Sequence, residues 1–260
     1  MLLTFNIGNR VISLGFVTED KVVARASLSA DKGRTADEYA LSILSLLALH
    51  GIDKEALTGA IGSSVFPALT ERVCSAVTLA TDLRPHLLGS GIRTGLDIRT
   101  EAPSELGGDL VATAVGALTR YKGPLIIVDF GTAITLSAIS AEGAFLGCAI
   151  LPGISLSAAS LAEATALLPD VCQKAPTNAV GRNTAESLQS GRFFGTAAMV
   201  DGMVARMREE MKAKATVVLT GHSALSVLPY LSTRAEYAED LLFLGLAAIY
   251  EKNERRKNRS

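Results

Sequence analysis

One pattern occurs twice in this chain, and it constrains the fold more than any other feature. Near the start runs Leu2-Leu3-Thr4-Phe5-Asn6-Ile7-Gly8-Asn9, and in the second half Leu125-Ile126-Ile127-Val128-Asp129-Phe130-Gly131-Thr132. Each is a short apolar run, then Asn or Asp, a spacer, a glycine and a small polar residue. An apolar segment resumes after each, at 11–17 and 133–139. Two apolar runs around a glycine turn read as a β-hairpin. Such a turn exposes backbone N–H groups as a nest for anions, and an Asx residue at its mouth can hold a metal. Two copies imply two related lobes that share a phosphate.

The 260 residues are 48% hydrophobic, enough to bury a large core in one or two domains. Net charge is −1, with acids and bases interspersed, which gives no reason to expect a nucleic-acid or membrane partner. A short basic tail at 252–259 reads as a solvated helix end. Cys74, Cys148 and Cys172 lie far apart without zinc-ligand spacing, so reduced thiols in a cytoplasmic protein are expected. The start of the chain enters a strand at once and does not read as a signal peptide. No run reaches the roughly 18 apolar residues that a membrane span needs.

Between the hairpins the pattern is α/β. A third strand is predicted at 21–28. Thr35, three residues before Glu38, has the spacing of a capping box. Ala40, Ile43, Leu44 and Leu47 follow at helical spacing, and Gly51 closes that helix. A strand at 60–65 ends in small residues, and Pro67 precedes a helix at 70–77. The stretch with Gly91, Gly95 and Pro103 reads as loop, and Gly107-Gly108-Asp109 leads into an alanine-rich helix through Leu118. The second half repeats the order with a strand at 145–150, a Pro152-Gly153 turn, helices at 156–167 and 187–211, a strand at 216–220 ending in Gly221, and a helix at 238–253. Three strands, helix, strand, helix, twice over, is a duplication with its boundary near 121–124. His50 reads as a helix end and His86 as loop, and neither has a partner for a catalytic dyad or a metal.

The doubled hairpin resembles the sugar-kinase, Hsp70 and actin superfamily. More specifically, nearly the whole chain is similar to the type III pantothenate kinases, also known as Bvg accessory factor homologues. The resemblance is carried by Asn6-Ile7-Gly8-Asn9, Ser63-Ser64-Val65-Phe66-Pro67, Gly91-Ile92-Arg93-Thr94-Gly95-Leu96 and Pro103-Ser104-Glu105-Leu106-Gly107-Gly108-Asp109. In the second half it is carried by Asp129-Phe130-Gly131-Thr132, Leu146-Gly147, Pro152-Gly153-Ile154 and Gly181-Arg182-Asn183-Thr184. It implies two ribonuclease H-like (actin-like ATPase) lobes, each a mixed sheet flanked by helices, over 1–121 and 122–260.

It also implies an activity: ATP-dependent phosphorylation of pantothenate, the first step of coenzyme A biosynthesis, in a homodimer, with Mg²⁺ and a monovalent cation, K⁺ or NH₄⁺. By resemblance Asp109 is the general base, where the residues alone favour an ordinary helix-terminal aspartate. Asp129 binds a cation, or else only forms the turn. Asn6, Ile7, Gly8, Asn9, Arg10, Val11, Ile12, Ser13, Gly131, Thr132 and Gly221 contact ATP, with Gly131 otherwise supplying positive φ. Thr100, Gly107, Gly108, Leu110 and Thr184 contact pantothenate, with Thr184 otherwise a helix N-cap.

Five positions depart from the family's pattern. Asn6 replaces an aspartate, Arg10 a small hydroxyl residue, Thr100 a tyrosine, Leu110 an arginine and His222 a glycine. Asn6 removes the charge that would hold Mg²⁺, and Leu110 removes a donor to the pantothenate carboxylate. These departures motivate a second reading, a catalytically impaired paralogue with a binding or regulatory role. They also motivate a third, a kinase with another acceptor.

Overall fold

The computed structural model of the chain describes residues 1–89, 91–166, 168 and 176–257. It divides into two compact units, one of residues 1–96, 101–120 and 240–260, the other of 97–100 and 121–239.

The first unit is built on a five-stranded mixed sheet. Strands β1 (Leu2–Ile7), β2 (Val11–Thr18) and β3 (Lys21–Ser29) form an antiparallel meander, with Ile7 opposite Ile12 at the first turn. β4 (Gly59–Ser64) lies parallel to β1, and β5 (His86–Leu87) parallel to β4, giving the order β3-β2-β1-β4-β5. Side chains alternate across β1. Leu3, Phe5 and Ile7 enter a cluster with Tyr39, Ile43, Leu47, Leu69, Val73 and Val77 from helices α1 (Ala36–Leu49) and α2 (Pro67–Thr81). Leu2 enters the cluster on the other face, with Ile61, Ala112 of α3 (Gly108–Arg120), and Leu244, Leu246 and Ile249 of the C-terminal helix (Leu241–Lys257). Helices cover both faces, which is why β1 is almost continuously apolar.

The predicted capping box is present. The Thr35 hydroxyl accepts from Glu38 N–H, and the Glu38 carboxylate accepts from Thr35 N–H at 2.6 Å. Gly51, with φ of 64°, follows the helix end. α2 begins at Pro67, earlier than the expected 70, because proline fits the first helical turn, where no N–H partner is needed. His86 is paired into the sheet opposite Ile61, not in a loop. The C-terminal helix begins at Leu241, three residues later than expected, and crosses α3 at two glycines. A Cβ at Gly116 would overlap the Leu241 carbonyl, and one at Gly245 would overlap that of Ala112.

The second unit repeats the plan. β6 (Leu125–Phe130), β7 (Ala133–Ile139) and β8 (Phe145–Pro152) form the meander, and β9 (Thr216–Thr220) lies parallel to β6, with β10 (Glu236–Tyr237) beyond it. The order β8-β7-β6-β9-β10 is that of the first sheet. Ile126, Val128 and Phe130 pack with Val200, Val204, Val217 and Leu219. The helices are α4 (Ile154–Ala164), α5 (Thr184–Ser190), α6 (Thr196–Met211) and the short α7 (Ala224–Val227). A π-helical turn, Gly191–Gly195, joins α5 to α6 where the sequence predicts one plain helix. The helix expected at 156–167 runs from Ile154 to Ala164 and is capped by Thr165, three residues short of the expected end; residue 167 and Cys172 fall outside the described residues. Of the other cysteines, Cys148 is exposed, and burial raises the pKa of the half-buried Cys74.

The first unit takes in the C-terminal helix, which a division into 1–121 and 122–260 leaves with the second lobe. Its apolar residues complete the cluster around Leu2 and Ile61. Among the described residues, no helix is long and apolar enough to cross a membrane.

Candidate functional site

In the first unit, β1 and β4 end together, with Asn6 beside Ser63 and Ile7 beside Ser64. The carboxyl ends of adjacent parallel strands are where α/β sheets collect ligands. Ser63 Oγ donates to Asn6 Oδ1 at 2.8 Å. Ser64 Oγ accepts from Phe66 N–H at 3.1 Å and sets the turn into α2. Asp109, second residue of α3, belongs to the same neighbourhood. A Cβ at Gly108 would stand 3.3 Å from Ser63 Cβ, and one at Gly107 only 2.5 Å from Asp109 Oδ1. Gly107 clears room for the carboxylate and Gly108 lets the helix start close against β4, and Leu110 follows, half-buried.

Asp109 Oδ1 accepts from the Leu110 N–H at 2.9 Å. Burial raises the Asp109 pKa above the ordinary aspartate value, and the Leu110 N–H opposes part of that shift. A carboxylate whose proton affinity is raised in this way suits taking a proton from a hydroxyl.

The first turn is held by the Gly8 N–H donating to the Val11 carbonyl at 3.0 Å, and a Cβ at Gly8 would stand 2.8 Å from that oxygen. Asn9, Arg10 and Val11 are exposed, and Ser13 is half-buried opposite Asn6. Ile7 and Ile12 are 0% and 1% exposed, so they offer a ligand only their backbone.

In the second unit, Asp129 takes the place of Asn6, as the one half-buried residue of an otherwise buried strand, and stands beside Thr220 on β9. The Gly131 N–H donates to the Ala133 carbonyl at 3.1 Å. Phe130 pairs with Ile134 where Ile7 pairs with Ile12, so this turn is one residue shorter. Gly131 lies outside the positive-φ region, contrary to the turn role considered for it; Gly221 has that conformation, at 91°. A Cβ at Gly221 would overlap Asp129 Oδ1 and stand 2.6 Å from Phe130 N. Glycine there lets the turn pass directly against the Asp129 carboxylate. The Gly153 N–H donates to the Thr132 carbonyl at 3.1 Å, setting the Pro152-Gly153 turn against the hairpin.

Thr132 and His222 are exposed. Thr100 follows the bridge of Ile98 to Phe145, and its Oγ1 is buried with no hydrogen-bond partner. Thr184 is exposed as the first residue of α5; the cap is Asn183, whose side chain accepts from Glu186 N–H at 2.9 Å. Ser63 and Thr220, which flank the Asx residues, are not among the predicted contacts. Their signal was a small hydroxyl residue near the end of the strand that runs parallel to the hairpin's first strand, β4 in one half and β9 in the other.

The two hairpins differ in the charge at the end of their central strand. Asp129 places a carboxylate at the end of its strand, packed against Gly221. Asn6 offers a neutral amide whose oxygen is already engaged by Ser63. Among the described residues, no group of three or more His, Cys, Asp or Glu side chains could hold a metal. A divalent ion held by the protein at the first hairpin does not fit these donors.

Residues 2–206 match the type III pantothenate kinase family. The chain belongs to that family. It is 36% identical over 253 residues to a type III pantothenate kinase of Moorella thermoacetica, covering 97% of this chain and 100% of the relative. It is 38% identical over 253 residues to one from Exiguobacterium sibiricum, with 97% and 100% covered. In fold it resembles a conserved Baf family transcriptional activator from Campylobacter jejuni at TM-score 0.61 and 20% identity, covering 97% and 99% of the two chains. It also resembles a 2-dehydro-3-deoxygalactonokinase protein from Sinorhizobium meliloti at TM-score 0.61 and 13% identity, again covering 97% and 99%. The two mixed five-stranded sheets are duplicated ribonuclease H-like lobes, as expected from the sequence.

Proposed function

We propose that this member of the type III pantothenate kinase family transfers the γ-phosphoryl group of ATP to the primary hydroxyl of pantothenate. The product is 4′-phosphopantothenate, and the step opens coenzyme A biosynthesis. The observation that carries the mechanism is Asp109: a half-buried carboxylate of raised proton affinity, beside two glycines, at the end of β1 and β4. Asp109 takes the hydroxyl proton while the acceptor oxygen bonds to the γ-phosphorus. The bond from that phosphorus to the β,γ-bridging oxygen breaks, and ADP leaves. Such transfer depends on positioning and charge neutralisation, so the rigid turns matter as much as the base.

In this reading the backbone from Asn6 to Ser13 is the phosphate-contacting turn of the first unit, and Gly131 and Thr132 are that of the second, where Gly221 is the residue assigned to adenosine. In the first unit Gly107, Gly108 and Leu110 are assigned to pantothenate beside Asp109, and in the second unit Thr100 and Thr184 are the residues assigned to it. Asp129 holds the monovalent cation, K⁺ or NH₄⁺, and Mg²⁺ rides on the nucleotide phosphates. A cytoplasmic homodimer is the proposed setting. The test is mass-spectrometric quantification of 4′-phosphopantothenate from ATP and pantothenate. Asp109→Asn is expected to lower kcat by about 10²–10⁴-fold, and turnover at the wild-type rate in that variant would remove Asp109 from the base's role.

A further inference from the structure

We propose that the first hairpin grips the nucleotide's phosphates with the Arg10 guanidinium rather than through a divalent ion held by the protein. The inference rests on the reading of this hairpin as an ATP site and concerns how that site supplies charge. The internal duplication gives the comparison. Asn6 and Asp129 occupy equivalent positions, each the one half-buried residue of its strand and each beside a hydroxyl residue of the parallel neighbour. The second hairpin carries an anion there and an uncharged turn, Gly131-Thr132. The first carries a neutral amide and a turn that ends in arginine, so the sign of its charge is reversed.

Two structural facts point to use of that charge. Asn6 Oδ1 accepts from Ser63 Oγ at 2.8 Å, so the amide oxygen is committed inside the protein. Arg10 is exposed, and among the described residues its guanidinium has no hydrogen-bond or ion-pair partner. Its backbone is fixed all the same, because the Arg10 carbonyl accepts from the Ala30 N–H at 3.0 Å, tying the turn to the end of β3. An unpaired guanidinium on a pinned turn suits a phosphate. It forms paired charge-assisted hydrogen bonds with phosphate oxygens and gives up no existing partner to do so.

The test is calorimetric titration of the whole protein with ATP, in excess Mg²⁺ and in EDTA, with adenosine as the control ligand. The wild type is expected to bind ATP in EDTA within about threefold of its affinity in Mg²⁺. Arg10→Ala is expected to weaken ATP by at least about tenfold and to leave adenosine unchanged, with Arg10→Lys retaining most of the affinity. Asn6→Asp is expected to make ATP binding depend on Mg²⁺. Loss of wild-type ATP binding in EDTA, or unchanged ATP affinity in Arg10→Ala, would overturn the proposal. A wild type that binds ATP but does not phosphorylate pantothenate would sink the acceptor reading alone, with Arg10 still judged by its own variants. No ATP binding under any condition would sink both.

Discussion

Burial beside Gly107 and Gly108 makes Asp109 hold its proton more tightly in the folded protein than in the unfolded chain. The sign of the linkage follows. The stabilisation from this raised pKa is present in full below the unfolded value and is lost as pH rises through the folded one. At neutral pH the ionised carboxylate therefore opposes folding. Asp109→Asn should raise the urea midpoint at pH 7, an advantage that disappears in acid, where the wild-type carboxyl is protonated. An Asp109→Asn protein less stable than wild type at pH 7 would contradict this account of the site. The same shift should place the acid limb of kcat above the ordinary aspartate range, measured as a pH–rate profile. Gly221 faces two constraints, a left-handed backbone and contact with Asp129 and Phe130. Gly221→Ala should cost about 1–3 kcal/mol in denaturant titration and weaken nucleotide binding, because its methyl lies on the Asp129 carboxylate.

The hairpins were legible because strand alternation and an Asx-x-Gly turn are local signals, and both turns fall where the pattern places them. Elements whose formation depends on distant neighbours were less so. β5 has two residues and exists only because β4 offers it an edge. The π-turn at Gly191–Gly195 interrupts a helical pattern that is continuous in sequence. Pro67 read as a break before a helix, whereas it opens one. The crossing of α3 with the C-terminal helix was invisible because Gly116 and Gly245 are single glycines far apart in the chain. There the helices approach too closely for any Cβ. Gly245→Ala should destabilise by about 1–3 kcal/mol or more, since backbone rather than a movable side chain stands in the way. Gly202→Ala in α6, with nothing within 4 Å of the added carbon, should be neutral or stabilising by up to about 1 kcal/mol. Urea midpoints of the two variants, side by side, separate close packing from helix propensity.

Duplication is the organising fact of the whole molecule. Both sheets have the same strand order and directions, and in each the Asx residue stands at the carboxyl end of the central strand. That much was readable from the doubled motif. The membership of the C-terminal helix was not, because apolar residues such as Leu244 and Ile249 announce burial without naming the surface that buries them. Nor did the residues alone distinguish Asp109 from an ordinary helix-terminal aspartate; the resemblance did, and the two glycines beside it supply a physical reason. What has diverged between the halves is charge, neutral Asn6 with Arg10 against anionic Asp129. The central claim is that this duplicated scaffold moves phosphate from ATP to pantothenate. The measurement that tests it most directly is transfer of γ-phosphorus label from ATP, with Mg²⁺ and K⁺ present, in the presence and absence of pantothenate. The account expects label in 4′-phosphopantothenate, formed only when pantothenate is supplied and lost in Asp109→Asn. Label that stays in ATP, or appears only as inorganic phosphate at a rate indifferent to pantothenate, would contradict it.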